Sequence, residues 1–301
     1  MKRLSSLLSI IVLWPVGALW AQLEAPNEAG VAMGHFHTIV RDVEATKKFW
    51  TTLGGQAINI DGTDAIKFPG VFIFLTRGTP SGGSYGSVVN HIKFLLPNPP
   101  EQIAKWKAAE ITAEHLISEY GGNPIGWAYT PDDLKVRFNP EPSLRVPIGS
   151  PGIQIWGAKP DVIDMLAWYV TTFGGRLADT PSNNGWSVNG IPGARLTITY
   201  SGELPQARIP RGVGLVQGKL ADQAVLDRLS RTNLRAPTKG RTLDHIGFEI
   251  TNLEAFCKKL EAGGVKFEEP YSKTRHPSFA SAKLTDPWGV SIELTEGLRR
   301  F

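Results

Sequence analysis

An internal repeat constrains this chain more than any other feature. Four times a short strand carries a polar residue, an Asp or Asn follows seven positions later, and a helical stretch then runs to a glycine pair. The clearest copy is the last, Leu243 to Glu296. Alternate strand residues face opposite sides, so Ile246, Phe248 and Ile250 share one face and His245, Gly247 and Glu249 the other. In the closing run, Ile292 and Leu294 oppose Ser291, Glu293 and Thr295. Leu253, Phe256 and Leu260 fall at helical spacing between them, predicting a helix from Leu253 to Ala262 that covers the apolar face. Gly263-Gly264 ends this helix, and Asp286-Pro287-Trp288-Gly289 turns the chain into the last strand. The unit is βαβββ, with one polar face left for chemistry.

The other copies begin at His35 with Asp42 and Gly54-Gly55, at His91 with Asn98 and Gly121-Gly122, and at Gln154 with Asp161 and Gly174-Gly175. Asp and Asn accept hydrogen bonds from the first free helix amides, and glycine tolerates the left-handed backbone at the far end. The second copy predicts a longer helix, which takes in His115. Phe68-Pro69-Gly70 before Val71 to Thr76 matches Ile191-Pro192-Gly193 before Ala194 to Tyr200, pointing to duplication of a pair of modules. Gly78 to Ser87 reads as a flexible linker, and Leu220 to Thr232 as a further helix-like run inside a longer insertion.

Hydrophobic residues make up 42% of the 301, enough for substantial cores. At the start, Lys2 and Arg3 precede an apolar run from Leu7 to Trp14 and a small-residue region, the pattern of a secretory signal peptide over residues 1–21. Cleavage after Ala18 and after Ala21 both fit. The run is shorter than the roughly 20 residues a membrane span needs. The expected mature protein is soluble and exported, secreted or periplasmic, with no membrane attachment. Cys257 is the only cysteine, which excludes an internal disulfide and a lipid-anchored amino terminus. Without Lys2 and Arg3 the formal charge falls from +4 to about +2, too little to argue for a nucleic-acid partner.

Four βαβββ modules with the openings GHFHTIVRDVEATKKFW and DHIGFEITNLEAF and the ending LTDPWGVSIEL resemble the vicinal oxygen chelate superfamily. That superfamily includes glyoxalase I, fosfomycin and bleomycin resistance proteins and extradiol dioxygenases. The resemblance runs from about Met33 to the end and implies an α+β fold: modules paired into two curled mixed β-sheets with helices on the outside. It groups the chain as modules one and two over 33–147 and modules three and four over 152–298.

Family metal sites use the first-strand polar residue of each paired module and the last-strand carboxylate. Here those positions are His35, His91, Gln154 and His245, and Phe74, a residue near Val146, Thr197 and Glu293. If module one pairs with four, one cleft offers His35, His245 and Glu293, a set suited to Fe, Mn, Zn or Ni. If modules pair in sequence, Gln154 joins His245 and Glu293 instead, since glutamine is a ligand at that position in the family. The outer pairing better explains why ligands survive in modules one and four, and the sequential one stays open. His91 reads as a structural histidine, and His115 and His276 as surface residues.

The implied function is a metal-dependent lyase, isomerase or oxygenase acting on a small oxygenated metabolite, with Glu293 and His37 as candidate catalytic residues. Phe74, Trp156 and Tyr271 are the candidate pocket walls. Phe74 stands where glyoxalase I has its second carboxylate, and Lys283 where extradiol dioxygenases have a tyrosine, so neither reaction carries over directly. A non-catalytic protein that sequesters a small ligand, of the bleomycin-resistance type, is the alternative, and a metal-free scaffold a third. With four modules in one chain both clefts can close internally, so a monomer is allowed.

Overall fold

The computed structural model describes residues 23–109, 115–120, 123–146, 148–179, 185–200 and 235–301. The expected leader at 1–21 and the expected helix-like run at 220–232 therefore lie outside the described residues. Module one comprises β1 (Val31–Val40), α1 (Val43–Thr52), β2 (Gln56–Ile60), β3 (Thr63–Phe68) and β4 (Val71–Arg77). Module two comprises β5 (Val89–Leu96), α2 (Pro99–Ala108), β6 (His115–Tyr120), β7 (Asn123–Tyr129) and β8 (Lys135–Pro140). In module three β9 (Gly149–Gly157) leads through one 3-10 turn to α3 (Val162–Phe173), β10 (Arg176–Leu177), β11 (Gly185–Ile191) and β12 (Ala194–Tyr200). Module four is β13 (Leu243–Ile250), α4 (Leu253–Ala262), β14 (Phe267–Ser272), β15 (Ala280–Thr285) and β16 (Ser291–Glu296).

The strands form two mixed eight-stranded sheets, ordered β14-β15-β16-β13-β1-β4-β3-β2 and β10-β11-β12-β9-β5-β8-β7-β6. Modules one and four share the first sheet, and two and three the second. The halves 33–147 and 152–298 thus each give one module to each sheet. At the centre of the first sheet β1 and β13 run antiparallel, with Phe36 opposite Ile246, His35 opposite Gly247 and His37 opposite His245.

Helices cover the apolar face of each sheet, and the two helical layers meet. Phe49 of α1 stacks on Trp106 of α2 at 4.8 Å, and Phe173 of α3 lies 4.4 Å from Phe248 of β13. One continuous core results, which leaves each sheet's polar face turned away from the other sheet. Asn27 ties the amino-terminal segment to module three, its Nδ2 donating to the carbonyls of Phe173 at 2.9 Å and Gly190 at 3.0 Å.

The helix ends follow their caps. Asp42, Asn98 and Asn252 accept from the backbone amides of Ala45, Glu101 and Ala255. Asp161 makes no such bond, because the 3-10 turn at Lys159–Asp161 gives it helical backbone angles before α3 begins. Gly174 takes the left-handed angles (φ +68°) that end α3.

Three expectations need correction. The second module's helix stops at Ala108, and His115 begins β6, whose Leu116 pairs with Trp127 of β7. An apolar pair such as Leu116-Ile117 fits a strand as well as a helix, and pairing with β7 decides. The last-strand position of module two is not near Val146. Lys93 pairs with Arg137 in the parallel register that pairs Gly247 with Glu293, so Arg137 is the counterpart of Glu293. Val146 falls too late in the sequence for this role, because β8 ends at Pro140. Gly78 to Ser87 is packed rather than a loose linker. Ser84 and Ser87 are buried, Ser84 Oγ accepts from Lys135 N at 2.8 Å, and a Cβ on Gly83 would lie 2.6 Å from that of Asp133. Small residues are needed there for close approach.

Candidate metal centre

Strand alternation puts His35 and His37 on one face of β1, and the antiparallel neighbour β13 brings His245 directly across from His37. Glu293 enters from β16, which pairs with β13 on its other side. His35, His37, His245 and Glu293 can each offer one ligand atom within 4.8 Å of all the others. His35 Nε2 lies 3.0 Å and His245 Nε2 3.2 Å from the same oxygen, Glu293 Oε2. His245 Nδ1 lies 2.5 Å from Asp244 Oδ1, so the carboxylate fixes the ring and leaves Nε2 for a proton or a metal. His35 is fully buried, yet neither of its ring nitrogens makes a hydrogen bond, because its short contact with Glu293 is off the N–H direction.

An orphaned buried imidazole facing a second imidazole and a carboxylate is the donor set of a two-histidine, one-carboxylate metal site. The residues present fit a divalent ion.

The electrostatics agree. Burial opposes a charge on Glu293, but the imidazoles of His245, His276 and His35 around it outweigh this and hold the carboxyl well below its usual range. Burial, with Glu293 only partly offsetting it, lowers His35 and keeps it a neutral donor. Burial also opposes protonation of His245, but Asp244 and Glu293 reverse this and raise it. His37 is held well below the ordinary histidine value by burial and then by His245 and His35. Its ring stacks on His245 at 4.5 Å, and its Nε2 lies 2.8 Å from Thr76 Oγ1.

The cluster opens into a cleft of about 260 Å³ whose walls include Phe74, Phe279, Arg275 and Lys283. Phe74 pairs with His37 as Glu293 pairs with Gly247, so an aromatic ring occupies the last-strand position of module one. Its edge meets His35 at 5.2 Å.

His276 is half-buried and lines this site, where the sequence reading makes it a surface residue. Its Nε2 is buried 3.7 Å from Glu293 Oε1, and its ring stacks on Phe279 at 4.2 Å. It sits in the loop between β14 and β15, where no periodicity signals direction, and only the folding of that loop over the sheet brings it in.

Gln154 is not brought to this cluster. It lies in the second sheet, where its Nε2 donates to Thr199 Oγ1 at 2.8 Å, and it lines a separate cleft with His91 and Trp156. Tyr271 packs against the core instead of lining either cleft.

Comparison with known proteins agrees with this architecture. Residues 158–294 match the family model described as the Glyoxalase/Bleomycin resistance protein/Dioxygenase superfamily. Glyoxalase I from Zea mays is 12% identical and superposes with a TM-score of 0.63 over 90% of this chain and 94% of that one. A single-substitution mutant of the same maize enzyme is 13% identical, with a TM-score of 0.62 over 90% of this chain and 94% of that one. A provisionally described dioxygenase from Bacillus subtilis is 14% identical, with a TM-score of 0.57 over 88% of this chain and 85% of that one. No curated protein sequence is significantly similar to the chain. The family match thus lies within modules three and four and supports the glyoxalase/bleomycin resistance/dioxygenase, or vicinal oxygen chelate, superfamily for that part, while the whole chain shares the four-module fold of these structures. Among the described residues no helix is long and apolar enough to cross a membrane.

Proposed function

We propose that this chain is an exported metalloenzyme that transfers a proton or oxygen on a small oxygenated metabolite held in the cleft between modules one and four. The observation that carries this reading is the meeting of His35 Nε2 and His245 Nε2 on one oxygen of Glu293, with both nitrogens of His35 otherwise unpartnered. His35, His245 and Glu293 would hold a divalent ion, which when bound supplies Lewis-acid stabilisation of an oxyanion on the substrate. His37 lies beside these ligands and is unprotonated at neutral pH, so it can accept a proton from a carbon or hydroxyl next to the chelated oxygens. Thr76, bonded to its Nε2, orients the ring and can pass the proton outward. Phe74 and Phe279 keep that wall apolar and exclude water, while Arg275 and Lys283, both paired with Glu269, form its polar side. The leader at 1–21 would carry the protein out of the cytoplasm; amino-terminal sequencing of the exported form should begin after Ala18 or Ala21.

Metal analysis tests this reading. Protein produced with iron, manganese, zinc and nickel available should retain close to one divalent ion per chain. His245→Ala and Glu293→Gln should each lower metal affinity by more than about tenfold without loss of fold. His37→Ala should keep the metal and lose turnover. Wild-type protein that takes up no stoichiometric metal in a titration with each ion would leave only ligand sequestration for this cleft.

A further inference from the structure

The two carboxylate oxygens of Glu293 face different partners. Oε2 meets both candidate ligand rings, His35 Nε2 at 3.0 Å and His245 Nε2 at 3.2 Å. Oε1 faces His276, whose Nε2 lies 3.7 Å away. That nitrogen is buried and has no hydrogen-bond partner. A buried ring nitrogen left unpaired costs free energy, so its place beside a carboxylate oxygen calls for a physical reason.

The loop that carries His276, between β14 and β15, is built to hold it there. Arg275 Nη1 donates to Ser281 O at 3.0 Å and to Ser281 Oγ at 2.9 Å, its Nη2 donates to Pro270 O at 2.9 Å, and its Nε lies 3.0 Å from Glu269 Oε2. On the other side of His276, Ser278 N donates to Asp61 Oδ2 at 2.8 Å, which ties the loop to the β2–β3 turn of module one. The His276 ring lies flat on Phe279, with 4.2 Å between centroids and 14° between planes. Phe279 in turn belongs to an apolar cluster with Ile60, Phe72 and Phe74 of module one. Stacking fixes the plane of the imidazole, the anchors at Arg275 and Ser278 fix its place, and Nε2 is left beside Oε1.

We propose that His276 is a positioning residue of the metal centre: its Nε2–H holds Oε1 of Glu293, so that the carboxylate presents Oε2 at the point His35 and His245 share. The inference rests on the metal reading of this cleft. The gap exceeds a hydrogen bond by about half an ångström, and such contacts commonly tighten when a site is filled. A carboxylate with one oxygen unrestrained can turn and offer a divalent ion either oxygen or both. With Oε1 engaged, only one presentation remains. Ligating carboxylates are in general oriented by such outer hydrogen bonds, and here the donor comes from a loop that also spans to module one.

Cobalt(II) titration of the intact protein, followed by calorimetry and by the visible absorption of the bound ion, tests this with two substitutions. His276→Leu keeps an apolar side chain against Phe279 and removes the donor. His276→Gln keeps an N–H near the position of Nε2. The Leu variant should bind cobalt more than about tenfold more weakly than wild type, and the Gln variant within about threefold of it. The cobalt spectrum of the Leu variant should change, because the ion's oxygen ligation changes, while that of the Gln variant should match wild type. A role in packing alone would give the reverse order, with Leu tolerated and Gln not, and would overturn the proposal. Equal affinity and spectrum in wild type and the Leu variant, or equal losses in both variants, would overturn it too and leave the metal site standing. Wild-type protein that takes up no cobalt would remove the metal reading and this inference together.

Discussion

At the scale of single residues, Gly247 shows how tightly the metal centre is built. It lies opposite His35 across the β1–β13 ladder, and a Cβ there would stand 2.1 Å from His35 Cε1 and 2.2 Å from Nδ1. No heavy atoms approach so closely, so the imidazole occupies space that only glycine leaves free. Gly247→Ala should therefore push His35 off the point it shares with His245. Overpacking should cost about 1–3 kcal/mol in urea unfolding, and metal affinity should fall by more than about tenfold. Unchanged metal affinity in this variant would show that His35 is not a ligand. The two histidines and Glu293 were visible in the sequence because each falls at a fixed place in a repeated module. Gly247 drew attention only as one member of a polar face, since its role depends on which strand lies beside it.

At the scale of an element, helix α4 was legible almost residue for residue. The apolar spacing of Leu253, Phe256 and Leu260 sets its buried face, and Asn252 and Gly264 set its ends. Asn252 has a left-handed backbone (φ +57°) while its side chain accepts from Ala255 N, and Glu296 accepts from the amides of Asn252 and Leu253. Asn252→Ala loses the side-chain acceptor and strains the backbone, so it should cost about 1–2 kcal/mol. Asn252→Gly should cost only a few tenths of a kcal/mol, because glycine accepts the left-handed angles. Urea denaturation of both variants checks the order, and equal losses would mean that backbone strain contributes nothing. Strand β6 is the opposite case, since its sequence fits two structures and pairing with β7 selects one.

At the scale of the whole molecule, the first sheet joins modules one and four and the second joins two and three, and the second sheet carries a buried cation as part of that assembly. Lys135 on β8 has its amine 4.3 Å from the Trp127 ring and 5.6 Å from Tyr85, and burial followed by Arg137 lowers it from 10.5 to about 8. Between about 8 and 10.5 the unfolded chain holds this proton and the folded chain does not. Stability should then rise with pH through that window, by at most about 1.4 kcal/mol per pH unit for one lysine. Below it the cost of the buried charge is present in full. Lys135→Met should flatten the rise in denaturation curves taken across this range. A wild-type stability that falls over the same interval, or a variant with the same slope, would contradict the assignment.

The sequence by itself determined the module: its strand faces, its capped helices, its repetition and the superfamily those features resemble. These are local properties, fixed by side-chain alternation, helical spacing and turn chemistry within some fifty neighbouring residues. Only the tertiary structure decided that β1 lies beside β13, which puts His35 with His245 and Glu293 and leaves Gln154 in a cleft of lysine and arginine. Both possible pairings of modules bury equivalent apolar faces. The choice between them depends on how the helical layers and the connecting segments pack, and no local pattern encodes that.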